Sequence, residues 1–115
     1  MSSDCIFCKI AAGDFGTKFI YESDEIVAFH DLNPQAPTHI LIIPKQHITK
    51  ISEMEENQET LAGKMLLAAK KIAQQEKLVE EGFRLVFNDG KNGGQEVMHL
   101  HMHLLGGRKL NWPPG

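Results

Sequence analysis

Residues 98–105 read Met98-His99-Leu100-His101-Met102-His103-Leu104-Leu105. The chain has six histidines, and three of them stand at alternate positions in this stretch. As a helix, at about 100° per residue, the stretch would put His99 and His103 on one side, turn His101 away and scatter the apolar residues. As a strand it sorts cleanly. His99, His101 and His103 line one face, and Met98, Leu100, Met102 and Leu104 line the other. The strand reading accounts for every residue and places a polar site on one side of a sheet.

Other segments agree with a sheet. FRLVFN (83–88) alternates Phe83, Leu85 and Phe87 against Arg84, Val86 and Asn88, which is the period of a strand. TKFIY (17–21) and IVAFHD (26–31) read as strands around a polar turn. HILIIP (39–44) reads as a buried strand, after a loop broken by Asn33-Pro34 and Ala36-Pro37. Between about Glu55 and Lys77, apolar residues recur at spacings of three and four. Leu61, Met65, Ala68, Ala69, Ile72 and Ala73 form one face of a long helix. Acidic residues crowd its start and lysines lie toward its end, which suits the helix dipole, and Gly82 lies just beyond. Residues 6–12 suit a short helix ending at Gly13. The class is α+β, with one long helix packed on an antiparallel sheet.

Length and composition set outer bounds. With 115 residues the chain is expected to form one domain, 1–115. The formal net charge of -3, with no cluster of Lys and Arg, speaks against nucleic acid as a partner. The longest apolar run, Ile40–Ile43, is too short for a membrane span. The first ten residues lack the pattern of a secretory signal. The two cysteines, Cys5 and Cys8, do not make a disulfide framework, so a reducing, cytoplasmic location is expected.

Three aligned imidazoles admit several chemistries. Neighbouring same-face side chains on a strand stand roughly 6.5–7 Å apart, so one ring can act while the next orients it or moves a proton. A histidine can attack phosphorus and divide one displacement into two. The glycine-rich loop DGKNGGQ (89–95) runs into the histidine segment, where its backbone N–H groups are placed to meet a phosphoryl group. A zinc site is the sharper rival. The first and third histidines of a straight strand lie about 13–14 Å apart, so such a site needs a ligand from elsewhere.

The run His99-x-His101-x-His103-x-x, with x apolar, resembles the motif of the histidine triad superfamily. AFHDLNPQAPTHILIIPKQHI (28–48), GGQ (93–95) and LGGRKLNWPPG (105–115) resemble its histidine triad nucleotide-binding branch. The resemblance covers nearly the whole chain. It implies a five-stranded antiparallel sheet with one long and one short helix, and a homodimer whose sheets join into ten strands. It implies a purine nucleoside phosphoramidase acting on AMP derivatives, adenosine 5′-phosphoramidates and aminoacyl adenylates, with no cofactor required for catalysis. His101 then matches the nucleophile, with His103 and His39 in support and His99 as the first histidine of the motif. Asn88 and the backbone near Gly94 and Gln95 match the phosphate site, and Asp31 the acceptor for the ribose hydroxyls. Phe7, Phe29, His30 and Leu32 match the walls of the base pocket, with Ile6 and Ile10 nearby. Glu96 departs from the pattern, since many members carry a serine there that contacts phosphate or leaving group. Met98 stands where an aromatic is common.

Cys5-x-x-Cys8 has three readings: half of a structural zinc site, two small residues packed in a short helix, or a redox pair. The resemblance completes the zinc set with His47 and His99. Three functions therefore stand side by side: a phosphoramidase, a metal-dependent hydrolase using the triad as ligands, and a nucleotide-binding module without turnover.

Overall fold

The alternation and helical periodicity of the sequence become two cores on opposite sides of one sheet. A computed structural model describes residues 4–115; Met1–Ser3, the start of the segment read as lacking a secretory signal, lie outside the described residues. The elements are α1 (Ile6–Ala11), β1 (Tyr21–Glu22), β2 (Ile26–His30), β3 (Thr38–Pro44), α2 (Glu59–Gln75), β4 (Phe83–Phe87) and β5 (Met102–Gly106). The five strands form one sheet in the order β1-β2-β3-β5-β4, and every pair is antiparallel. β5 thus lies between β3 and β4, which puts His103 on an interior strand of the sheet.

The register assigns the faces. Ile40 and Ile42 of β3 stand opposite Leu104 and Met102 of β5, and Ile42 stands opposite Ala28 of β2. These residues meet Leu61, Met65, Ala68, Ala69, Ile72 and Ala73 of α2, the helix face expected from the sequence, all buried. Each large apolar side chain buried here contributes about 1.5–3 kcal/mol, and the alanines let the helix lie close to the sheet. Leu41 stands opposite Phe29 and His103, and belongs with Val27, Phe29 and Ile43 to the other face. The short helix α1 covers that face through Phe7.

Three boundaries differ from the sequence reading. Instead of TKFIY, β1 is only Tyr21–Glu22, an edge strand with β2 as its one neighbour. Ile20 still donates to the Ala28 carbonyl at 2.8 Å, and Phe19 packs beside Phe7, so the segment is held without a ladder. The long helix runs Glu59–Gln75 against an expected span of about Glu55–Lys77, so it starts four residues later and ends two earlier. Lys77 takes φ 59°, Lys77 N donates to Gln74 O, and Leu78 N donates to Ala73 O at 2.9 Å. This is a left-handed helix stop with lysine in the position usually taken by glycine. The histidine strand pairs only from Met102 onward. Before it the chain bends at Val97, Met98 and His99, and Leu100 N donates to Ile48 O at 2.6 Å, so residues 99–101 lie outside the ladder.

Candidate active site

β5, β3, α1 and the glycine-rich loop enclose a cleft of about 260 Å³ on the face away from α2. His101 and His103 line it from the histidine segment, Phe7 from α1, and Asp31 from the end of β2. Asn88 and Gly94 close it from the loop.

Main-chain groups decide the tautomers of its histidines, because they can act only one way. The His99 carbonyl lies 2.7 Å from His101 Nδ1 and can only accept, so Nδ1 carries the proton. The lone pair of His101 is then on Nε2. The Gln35 N–H donates to His39 Nδ1 at 3.0 Å, so His39 carries its proton on Nε2. That proton meets His103 Nδ1 at 2.9 Å, with Asp31 Oδ2 3.5 Å away. The proton of His103 is therefore on its own Nε2. The His101 and His103 rings stand 5.0 Å apart, centre to centre.

Electrostatics reinforce this arrangement. Burial, followed by the neighbouring imidazoles of His101 and His39, pushes the pKa of His103 down to about 4. Burial also lowers that of His39, against the pull of Asp31. His103 is thus neutral in the folded chain, while an unfolded imidazole titrates near about 6.5. Between those values the unfolded chain binds more protons, so stability is lost as pH falls from about 6.5 toward 4. The expected result is that thermal unfolding of His103→Asn declines less steeply over that range than that of the unsubstituted protein.

The loop holds its shape through its own hydrogen bonds. Gly94 N donates to Lys91 O and Gln95 N to Gly90 O, so these two N–H groups are engaged inside the turn, while Gly94 itself lines the cleft. The Gln95 side chain is buried as a brace, accepting from Gly90 N and donating to Thr49 O and Val97 O. Asn88 Nδ2 donates one hydrogen to Gly93 O at 2.6 Å and keeps its second hydrogen for the cleft. A Cβ on Gly93 would lie 2.5 Å from Asp89 O, a backbone atom that cannot swing aside. Gly93→Ala is expected to lower kcat/KM by about 10–100-fold, because small displacements of positioning groups are costly.

The remaining expected residues divide. Phe29 is buried against Phe7, their ring centres 5.8 Å apart, and Ile10 packs in the same cluster. Asp31 Oδ1 accepts from Asn33 N at 2.8 Å, a loop-capping bond that also aims the carboxylate. His30 stands opposite Ile40, on the register of the α2 side, and is exposed. Leu32 is fully exposed and Ile6 half-exposed, and neither lines the cleft. Leu41 and Val97 line it and were not singled out from sequence. Leu41 could have been found, since it sits two residues from His39 on the same face of β3.

The triad itself is divided. The His99 ring faces away from the cleft, and only its carbonyl serves His101. His99 Nε2 meets the Pro44 carbonyl at 2.9 Å, which places the lone pair on Nδ1. That atom is 3.2 Å from Cys5 Sγ and 3.5 Å from Cys8 Sγ, and Cys8 Sγ is 3.4 Å from His47 Nδ1. The four ligand atoms lie within 4.8 Å of one another. In a tetrahedral zinc site with two sulfurs and two nitrogens, neighbouring S and N ligands are about 3.5 Å apart. The donor set and its spacing fit zinc.

The match to known proteins runs across this whole framework. The HIT domain model matches residues 13–110. The chain belongs to the HIT family. Among solved structures, the HIT family hydrolase of Legionella pneumophila is 53% identical with a TM-score of 0.94, covering 96% of this chain and 99% of that one. An uncharacterized HIT-like protein of Synechococcus elongatus is 52% identical over the full length of both chains. A 14 kDa zinc-binding protein of Zea mays is 50% identical, covering 98% of this chain and 89% of its own. The HIT fold of this chain is thus that of the HIT hydrolases, with a Cys/His cluster beside the histidine cleft. No helix among the described residues is long and apolar enough to cross a membrane.

Proposed function

We propose that this HIT protein is a purine nucleoside phosphoramidase, cleaving the P–N bond of adenosine 5′-phosphoramidates and related AMP derivatives. The observation that carries the reading is the bond from His101 Nδ1 to the His99 carbonyl. It leaves His101 Nε2 as a lone pair on a ring that lines the cleft.

In the first step the His101 Nε2 pair attacks the α-phosphorus, and the P–N bond breaks. The departing nitrogen keeps the bonding pair, takes a proton delivered by His103 Nε2–H and leaves as the amine; solvent replaces that proton. The intermediate is a nucleotidyl-histidine. In the second step water attacks phosphorus, the bond to His101 breaks, and the water proton returns to solvent by the same route. The products are nucleoside monophosphate and free enzyme. Asn88 Nδ2 supplies a donor to the phosphoryl oxygens, and Asp31 accepts from the ribose hydroxyls. Phe7 and Leu41 provide apolar walls.

Zinc, held by Cys5, Cys8, His47 and His99, would tie α1 to the segment before β5. It takes no part in the displacement, because the cleft imidazoles are not in its donor set. Homodimerisation through the sheet and a cytoplasmic location belong to the same reading. β4 is the other edge of the sheet, so it offers unpaired backbone groups to a second copy.

The test is turnover of adenosine 5′-phosphoramidate by protein as purified and by protein briefly treated with chelator. Turnover in both, with a covalent adenylyl adduct trapped on His101 after acid quench, is expected. Immediate loss on chelation, restored by zinc, would favour the metal-hydrolase reading. AMP binding without turnover would leave only a binding module.

A further inference from the structure

Glu96 and Val97 form a shared wall between two cavities. On one side is the cleft with His101. On the other is an open cavity of about 490 Å³, lined also by Asp4, Cys5, Ile6, His47 and Met98. No lysine or arginine lines this second cavity. Ile6 and Met98 are each about half exposed, at 49% and 48%, and give it apolar sides. Its volume lies in the range of small-molecule sites. It shares the Glu96–Val97 wall with the nucleophile's cleft and so is the neighbouring space on that side.

The nucleotide does not account for Glu96. A carboxylate beside a phosphoryl group is unfavourable unless a cation lies with it. The substrate has one part that can supply that cation, the amine bound to phosphorus. We propose that the second cavity is the leaving-group subsite and that Glu96 selects amines carrying a further positive charge, such as diamines joined to phosphorus through one nitrogen. The methylene chain would lie along Ile6 and Met98, and the distal ammonium would meet Glu96, with Asp4 adding to the field. Such a substrate brings its own counter-charge to the wall. The nucleoside monophosphate left after P–N cleavage lacks it, so the same carboxylate disfavours retention of product.

The inference rests on the phosphoramidase reading and deepens it. Its test is a ratio measured within each enzyme. Two adenosine 5′-phosphoramidates are compared, one N-linked to a short diamine with a free ammonium, the other to the alkylamine of equal length. The unsubstituted protein should favour the cationic substrate by about 2–5-fold in kcat/KM, the scale of one exposed ion pair. The preference should shrink as salt is raised. In Glu96→Gln the ratio should fall to about one, and Glu96→Ser should match it. A loss of packing at Glu96 would lower both substrates together and leave the ratio unchanged. Equal kcat/KM for the two substrates in the unsubstituted protein, or a ratio unaltered by Glu96→Gln, would overturn the subsite while leaving the phosphoramidase standing. Absence of turnover on every phosphoramidate would overturn both.

Discussion

His101→Ala is expected to lower kcat for adenosine 5′-phosphoramidate by at least about 10⁴-fold, with AMP affinity held within a few-fold. The large effect follows from the role of Nε2 as the attacking atom, since removing a nucleophile removes the covalent route itself. The small effect on binding follows from the geometry. His101 contributes one wall of the cleft, while Asp31, Asn88 and Phe7 contribute others. Rapid-quench measurement of the adduct and calorimetric titration with AMP check the two parts separately. His103→Ala should be milder, about 10²–10³-fold, because a positioned proton donor contributes less than the nucleophile. A variant at His101 with substantial turnover would show that the attacking group is something other than His101 Nε2.

Replacing Cys5 and Cys8 by serine should have the reverse effect, a large loss of stability with the chemistry retained in the molecules that remain folded. The pair anchors α1. Cys5 caps that helix, its sulfur accepting from Cys8 N at 3.3 Å, and α1 carries Phe7 onto the sheet. The ligands span the chain from residue 5 to residue 99, so a bound ion would close a very long loop. By analogy with other long cross-links, the double substitution should cost on the order of 3–5 kcal/mol. Metal analysis should find one zinc per chain before substitution and none after. Thermal unfolding should show a large drop, and prolonged chelation should reproduce it. Retained stability in the double variant, with no zinc in either protein, would return the two cysteines to ordinary packing.

These two predictions depend on the sequence to different degrees. The faces of α2 and of the histidine segment were legible because periodicity is a local property. Any chain with Leu61, Met65, Ala68, Ala69, Ile72 and Ala73 at those spacings has one apolar stripe, and that stripe must be buried. The HIT motif identified the family and pointed to His101 by resemblance. The pairing of β3 with β5 was not legible, because strand order depends on contacts across some sixty residues and leaves no mark on local pattern. The shortness of β1 was missed for a related reason, since a strand needs a partner to extend along. The end of α2 was legible to within two residues, although the left-handed turn at Lys77 has no mark in the local pattern.

What the sequence by itself determined is therefore the class, α+β, the family and the set of residues from which a site could be built. Alternation and composition act through burial, and burial depends on residue type and spacing. What only the tertiary structure decided is how three like histidines come to serve different ends. His99 turns its lone pair to the cysteines because the Pro44 carbonyl occupies Nε2. His101 presents its lone pair to the cleft because the His99 carbonyl occupies Nδ1. His103, kept neutral by burial, carries its proton on Nε2 because His39, held by the Gln35 N–H on its other side, donates to Nδ1. An imidazole has two nitrogens and one proton to place between them, and the choice is made by main-chain groups that are remote in sequence or carry no side-chain signature.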